Sequence, residues 1–243
     1  MADPGREELH NLVVQLRHFL AYQQRLGLAA LPQGLRKERE RPANAAPEIS
    51  PTVVGAVLTL EAVRAELGNC QRCKLSRTRR HLVFGAGEPH ARLVFIGEGP
   101  GEEEDLQGVP FVGAAGQLLD RLFDRLELKR QEVYITNIVK CRPPGNRNPE
   151  ADEISACLPF LKKQLQAIQP RIICTLGRIA TQVLLETAAP LSRIRGQWQK
   201  WQDIQVMPTF HPSYLLRFPA ERKKTWEDMQ KVMARYRSKN HGA

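Results

Sequence analysis

No apolar run in the 243-residue chain approaches the roughly 20 residues of a membrane span. The opening stretch, MADPGREELHNLVVQLRHFL, is acidic and amphipathic, so it lacks the basic-then-apolar order of a secretory leader. A cytoplasmic location is the expectation. Internal repeats are absent. Cysteine is sparse: in a reducing compartment, five residues point to metal or thiol chemistry before disulfides. Acidic residues fall short of basic ones, 26 against 36, leaving a net charge of +10 that favours a polyanionic partner, most often nucleic acid. The glycine-rich stretch GEGPGEEED (97–105) is missing what a phosphate loop requires. Glu102 stands where G-x-G-x-x-G needs its third glycine, and no G-K-[ST] ending follows. Four successive carboxylates, Glu102 to Asp105, would repel a phosphate. The loop therefore suits an uncharged ligand, such as a flat heterocycle with amide-like edges. Alone, it reads equally as a tight turn with an acidic helix start.

The chain divides by composition. Leu9, Leu12, Val13, Leu16, Phe19 and Leu20 recur at helical spacing, which predicts an amphipathic arm within residues 1–31. That arm either docks a protein partner or packs on its own domain. Residues 32–57, rich in Pro, Ala and mixed charge, read as a flexible linker. From residue 58 to 238 the pattern is α/β. Four apolar, β-branched runs read as buried strands at 92–97, 133–139, 171–177 and 204–210, with helical patterns at 114–126, 151–168, 178–186 and 221–237. The alternation predicts a three-layer α/β/α sandwich around a central four-stranded parallel sheet. In such sheets ligands bind beyond the carboxyl ends of the strands. The unusual residues gather there: the glycine–acid loop after the first strand, Asn137 and KCRPPGNRNP at the second, Gly177-Arg178 after the third, HPSYLLR after the fourth.

Within those loops several residues carry chemistry. Asn137 stands in an apolar strand, where a buried amide is unfavourable unless its bonds are met; it either pairs with the donor–acceptor edge of a base or caps local backbone. Phe111 follows the glycine loop closely enough to stack on a base, or else belongs to the core. His211, alone of six histidines, directly follows a predicted strand, where a neutral ring can donate to developing negative charge. Cys70 and Cys73 form C-x-x-C, and Cys141 and Cys157 lie far downstream; four thiolates hold zinc or an iron–sulfur cluster, and the spacing does not choose. Cys174, in an apolar strand, reads as a small buried hydrophobe. Lys74, Arg77, Arg79 and Arg80 beside the first pair, with Lys140, Arg142 and Arg147 around Cys141, suggest a phosphate track or a solvated face.

Taken together, GEGPGEEED, GVPFVGAAGQLL, VYITNIVKCRPPGNRNP, the four spaced cysteines and HPSYLLR resemble the family 4 uracil-DNA glycosylases, the iron–sulfur branch of the uracil-DNA glycosylase superfamily. The resemblance spans about residues 58–235 and leaves out the arm. It implies excision of uracil from single- or double-stranded DNA by a monomer, with Cys70, Cys73, Cys141 and Cys157 ligating a structural [4Fe-4S] cluster. By the same resemblance Glu98, Gly99 and Pro100 form the pocket floor, Phe111 stacks on the extruded base, and Asn137 reads its polar edge. Glu104 crowds C5 against a thymine methyl, His211 stabilises charge on the uracil O2, and Leu215 fills the gap left in the duplex. Related branches place a water-orienting Asp where Gly99 stands, so Glu98 is the nearest carboxylate for that task. The alternative is an iron–sulfur nucleic-acid-binding protein without catalysis, for which loss of Asn137, Phe111 or His211 would be expected; all three are present.

Overall fold

A computed structural model describes residues 58–238. The arm and linker expected at 1–31 and 32–57 lie outside the described residues. The first helix, α1 (Leu60–Leu67), starts where the Thr59 hydroxyl accepts the Ala62 N–H. Then come β1 (Ala86–Gly87), β2 (Leu93–Gly97), α2 (Glu102–Gln107), α3 (Ala114–Arg125) and β3 (Tyr134–Asn137). The second half holds α4 (Ala151–Ile168), β4 (Ile172–Leu176), α5 (Arg178–Leu185), α6 (Leu191–Ile194), β5 (Gln199–Trp201), β6 (Ile204–Thr209), α7 (Pro212–Arg217) and α8 (Arg222–Arg237).

The expected four-stranded parallel sheet is the centre of a larger, mixed one. Strand order is β1-β3-β2-β4-β6-β5, with β3, β2, β4 and β6 parallel and an antiparallel strand at each edge. The central strands read as unbroken apolar runs because both faces are covered; every residue of β2, β3 and β4 is buried. Alternate side chains enter opposite cores. Val94, Ile96, Tyr134 and Ile173 pack under α1, α4 and α5, while Phe95, Ile135, Cys174 and Met207 pack under α3 and α8. Met229 and Met233, on one face of α8, are buried in that second core, and Cys174 is the small buried hydrophobe its strand suggested.

After the edge strand β1, the chain enters the parallel centre at β2, proceeds to β3 on one side and returns to β4 on the other. A crevice opens at the carboxyl ends where the order reverses. In register, Gly97 lies beside Asn137.

Candidate active site

One cavity of about 800 Å³ occupies that crevice, and four loops line it. Glu98, Gly99, Pro100 and Glu104 come from the β2–α2 loop and its helix, Phe111 and Ala115 from the entry to α3, Asn137 from β3, and His211 from the end of β6. Arg147 and Asn148, Gly177 and Arg178, and Tyr214, Leu216 and Arg217 complete the wall and mouth.

Asn137 is 1% exposed, and its Oδ1 has no hydrogen-bond partner. Leaving a buried amide oxygen bare is unfavourable by about 1–3 kcal/mol, so a donor on a ligand in this cavity would be favoured there. Its neighbour must be glycine. A Cβ on Gly97 would collide with Asn137 Oδ1 and would reach 2.6 Å from Phe111 Cζ. Beneath the pocket, the buried Lys140 ammonium donates to Thr136 Oγ1 and to the Asn137 carbonyl, both at 2.7 Å, which fixes the strand end. Burial pushes the Lys140 amine down to about 8, with Cys157 and Cys141 pulling the other way.

The acidic run now has a physical account. Glu102 and Glu103 are solvated at the start of α2, where the helix dipole favours them, and Glu102 lies 3.5 Å from Arg142. Asp105 is buried and accepts from the Arg80 and His81 backbone amides. Glu104 accepts from three: Gly101 at 3.0 Å, and Val112 and Gly113 at 2.8 Å each. Those bonds bracket Phe111, which adopts φ +53°, a conformation unfavourable for a bulky side chain by about 1–3 kcal/mol. Gly116 is required beneath it, because a Cβ there would overlap the Phe111 carbonyl. Glu104 lines the cavity as the resemblance implies, but both its oxygens are taken up in bracing the Phe111 turn. Glu104→Gln presents an amide donor to backbone donors. It is expected to lower folding stability by about 2 kcal/mol, checked by urea denaturation.

His211 caps α7, its Nδ1 accepting from the Ser213 N–H at 3.1 Å with the Ser213 hydroxyl at 2.7 Å. A backbone N–H only donates, so Nδ1 bears the lone pair and Nε2 the proton. Burial pushes the ring down to about 4; Glu104 opposes that and Arg217 adds to it. The ring is therefore a neutral donor at physiological pH. Its centroid lies 5.6 Å from that of Phe111. Burial also raises the Glu98 carboxyl, against the pull of Arg178. Asn148, with its amide turned to suit both neighbours, donates to Glu98 Oε1 and accepts from Arg178, each at 3.2 Å. Asn148 lies within KCRPPGNRNP, where the sequence assigns it no role; only its placement beside Glu98 supplies one.

Leu215 departs from expectation. It is 4% exposed and faces a separate apolar cavity of about 330 Å³ between α3, α7 and α8. In this packing Leu215 is turned away from the main crevice. Its neighbour Leu216 is 38% exposed and stands at the mouth of the main crevice.

On the other side of Lys140, Cys70, Cys73, Cys141 and Cys157 line one small cavity. N–H groups point at three of the sulfurs: Arg72 at Cys70 (3.4 Å), Arg79 at Cys141 (3.3 Å) and the Lys140 backbone at Cys157 (3.3 Å). Burial pushes the Cys141 thiol up to about 11, with Arg79 opposing, and raises that of Cys157, with Lys140 opposing. No three His, Cys, Asp or Glu side chains among the described residues are grouped to hold a single metal ion. The four thiols thus face one shared space beneath the β3 end.

The doubly wound sheet, with Phe111, Asn137 and His211 in one crevice at the carboxyl ends of its parallel strands and four cysteines around a second cavity, defines the class: an α/β domain with a ligand crevice at its topological switch point. The uracil DNA glycosylase superfamily model matches residues 84–230. The type-4 uracil-DNA glycosylase of Saccharolobus solfataricus is 46% identical over 189 residues, covering 74% of this chain and 88% of the relative. Those of Thermotoga maritima and Archaeoglobus fulgidus are 43% and 38% identical, covering 71% and 72% of this chain and 92% of each relative. The chain belongs to the type-4 family of the uracil DNA glycosylase superfamily.

Proposed function

We propose that the protein is a DNA-repair glycosylase that hydrolyses the N-glycosidic bond of deoxyuridine in DNA, releasing uracil and leaving an abasic site. The observation that carries this reading is the buried, unpartnered Asn137 Oδ1 in the same cavity as Phe111 and a neutral His211. Uracil offers an N3–H donor beside its O4 acceptor, the complement of an amide side chain. Cytosine, with a bare N3 and an exocyclic amine, offers the reverse. The glycine loop can approach closely because its ligand is neutral.

Extruding the base from the stack is unfavourable by a few kcal/mol, least at mismatches or in single strands, and basic residues along the rim hold the backbone meanwhile. Phe111 stacks on the ring and Asn137 fixes its edge. As the glycosidic bond stretches, the sugar becomes cation-like and uracil leaves as an anion. His211 Nε2–H and loop amides stabilise the charge on O2; a preorganised donor of this kind contributes about 3–4 kcal/mol. Water adds to the sugar carbon on the face where Glu98, held by Asn148 and facing Arg178, orients it and takes its proton. Leu216, rather than Leu215, enters the vacated space in the duplex. Cys70, Cys73, Cys141 and Cys157 would hold a [4Fe-4S] cluster, whose contribution is to tie residues 70–79 to the β3 end and α4. Burial keeps the free Cys141 and Cys157 thiols protonated, so ligation would release their protons.

The direct test is a labelled strand carrying one uracil. Alkali-dependent scission at that position, with a thymine control intact, is expected; an intact uracil strand from iron-loaded protein overturns the reading. The pH profile separates the two groups. Glu98 acts as a carboxylate, so kcat falls as pH drops through its raised value, above the usual 4.5. His211 acts neutral and contributes no loss until pH approaches about 4. Glu98→Gln is expected to lower kcat roughly 10²-fold and to abolish the limb above pH 4.5, leaving the fall near pH 4 that belongs to His211. A limb above pH 4.5 that persists in Glu98→Gln assigns the base elsewhere.

A further inference from the structure

The crevice does not end at Leu216. Phe210, Tyr214 and Phe218 recur every four residues across α7 and form a continuous aromatic ladder. The Phe210 and Tyr214 centroids are 4.9 Å apart with planes at 29°, and those of Tyr214 and Phe218 are 4.7 Å apart at 35°. Phe210 and Tyr214 line the cavity. Phe218, the outer rung, is 51% exposed, the most exposed large hydrophobic side chain among the described residues. Nothing in the fold explains an aromatic ring held at the surface with its edge stacked on another. Its surroundings are cationic: Arg217, Arg222 and Lys223 are all exposed, and neither Arg217 nor Lys223 has an ion-pair partner among the described residues.

Resting on the glycosylase reading, we propose that Phe218, backed by Tyr214, is a stacking platform for an unpaired base adjacent to the extruded uracil, and that it favours single-stranded or locally melted substrate. Three observations choose this occupant over a protein. The ladder is continuous with the pocket that receives the base. Every base has a π face, so an open ring at the pocket mouth receives a neighbouring base whatever the sequence. Arg217, exposed and lining the same crevice, supplies a cation for the phosphate of that nucleotide. A neighbour still paired and stacked in a duplex has no free face to offer, so the platform acts on unstacked DNA.

The test is equilibrium binding, by fluorescence anisotropy, of full-length wild-type, Phe218→Ala, Phe218→Leu and Phe218→Trp proteins. The probe is an oligonucleotide with one uracil nucleotide made uncleavable by a 2′-fluorine, offered as a single strand and as a fully paired duplex at fixed salt. Loss of one base–aromatic stack is expected to weaken single-strand binding of Phe218→Ala by about fivefold or more. Its duplex binding should change less, Phe218→Leu should bind single strands no better than Phe218→Ala, and Phe218→Trp should restore binding. Wild-type affinity of Phe218→Ala for both probes overturns the proposal, as a protein-docking role for this ring would produce. So does an equal loss on both probes that Phe218→Leu repairs, which marks plain apolar packing. Excision by the wild-type protein on cleavable strands is scored separately, so failure of the platform and failure of the glycosylase reading are distinguishable.

Discussion

Asn137→Ala is expected to reduce kcat/KM on uracil-containing DNA by about 10³-fold while leaving the melting temperature unchanged or slightly raised. The two halves of that outcome share a cause. In the free protein Asn137 Oδ1 is buried without a partner, so the side chain contributes an unfavourable desolvation that alanine removes. The backbone at this position is held independently, by Lys140 on its carbonyl and by pairing with β2, so the strand end survives the change. With substrate bound, the same truncation leaves the N3–H and O4 of a buried uracil unpaired, and the loss appears in catalysis. A residue kept only for packing would behave the opposite way, with melting temperature falling and the rate following it. Steady-state kinetics and thermal melts on one preparation decide between them, and unimpaired turnover would remove Asn137 from the site.

The second large effect lies at the cysteines. If the proposed cluster is ligated here, Cys141→Ala and Cys157→Ala are each expected to prevent iron incorporation and the brown colour that comes with it, and to lower the melting temperature enough that little folded protein is recovered at 37 °C. Structural metal groups contribute folding free energy on the order of 10 kcal/mol, comparable to the whole stability of a typical domain. The cradle joins segments distant in sequence: residues 70–79, the end of β3 and the body of α4, with Lys140 and Arg79 between them. Cys174→Ala is the control. Cys174 is fully buried but sits in β4 within the other core, and its variant should keep any iron and colour with a modest cavity loss. Normal iron content in Cys157→Ala would exclude it as a ligand.

How much of this was legible in the chain follows from length scale. The four central strands could be read because burial on both faces turns each into a continuous apolar run, visible without knowing its neighbours. The edge strands could not. Ala86–Gly87 and Gln199–Trp201 are short and carry no such run, and they exist only because β3 and β6 offer them ladders. The gathering of Glu98, Asn137, Phe111 and His211 followed from the rule that loops at the carboxyl ends of a doubly wound sheet share a crevice. The long motifs, which fixed the family, are strings of adjacent residues that need no geometry to be read.

What the sequence by itself determined, then, is the sheet's parallel centre, the set of chemically committed residues and the family. Orientation was left to the tertiary structure. Consecutive residues on a helix point about 100° apart, so only packing of α7 against α3 and α8 decides that Leu215 turns inward and Leu216 outward. The same holds for the acidic run. Four carboxylates look alike in one dimension, but the turn into α2 gives Glu102 and Glu103 to water and makes Glu104 and Asp105 acceptors for five backbone amides between them. The tautomer of His211 depended on a hydrogen bond two residues away, and the exposure of Phe218 on where a helix happens to end. Composition and spacing decide which groups a chain brings; the direction each faces, and what it must then bond, is set by contacts between residues far apart along it.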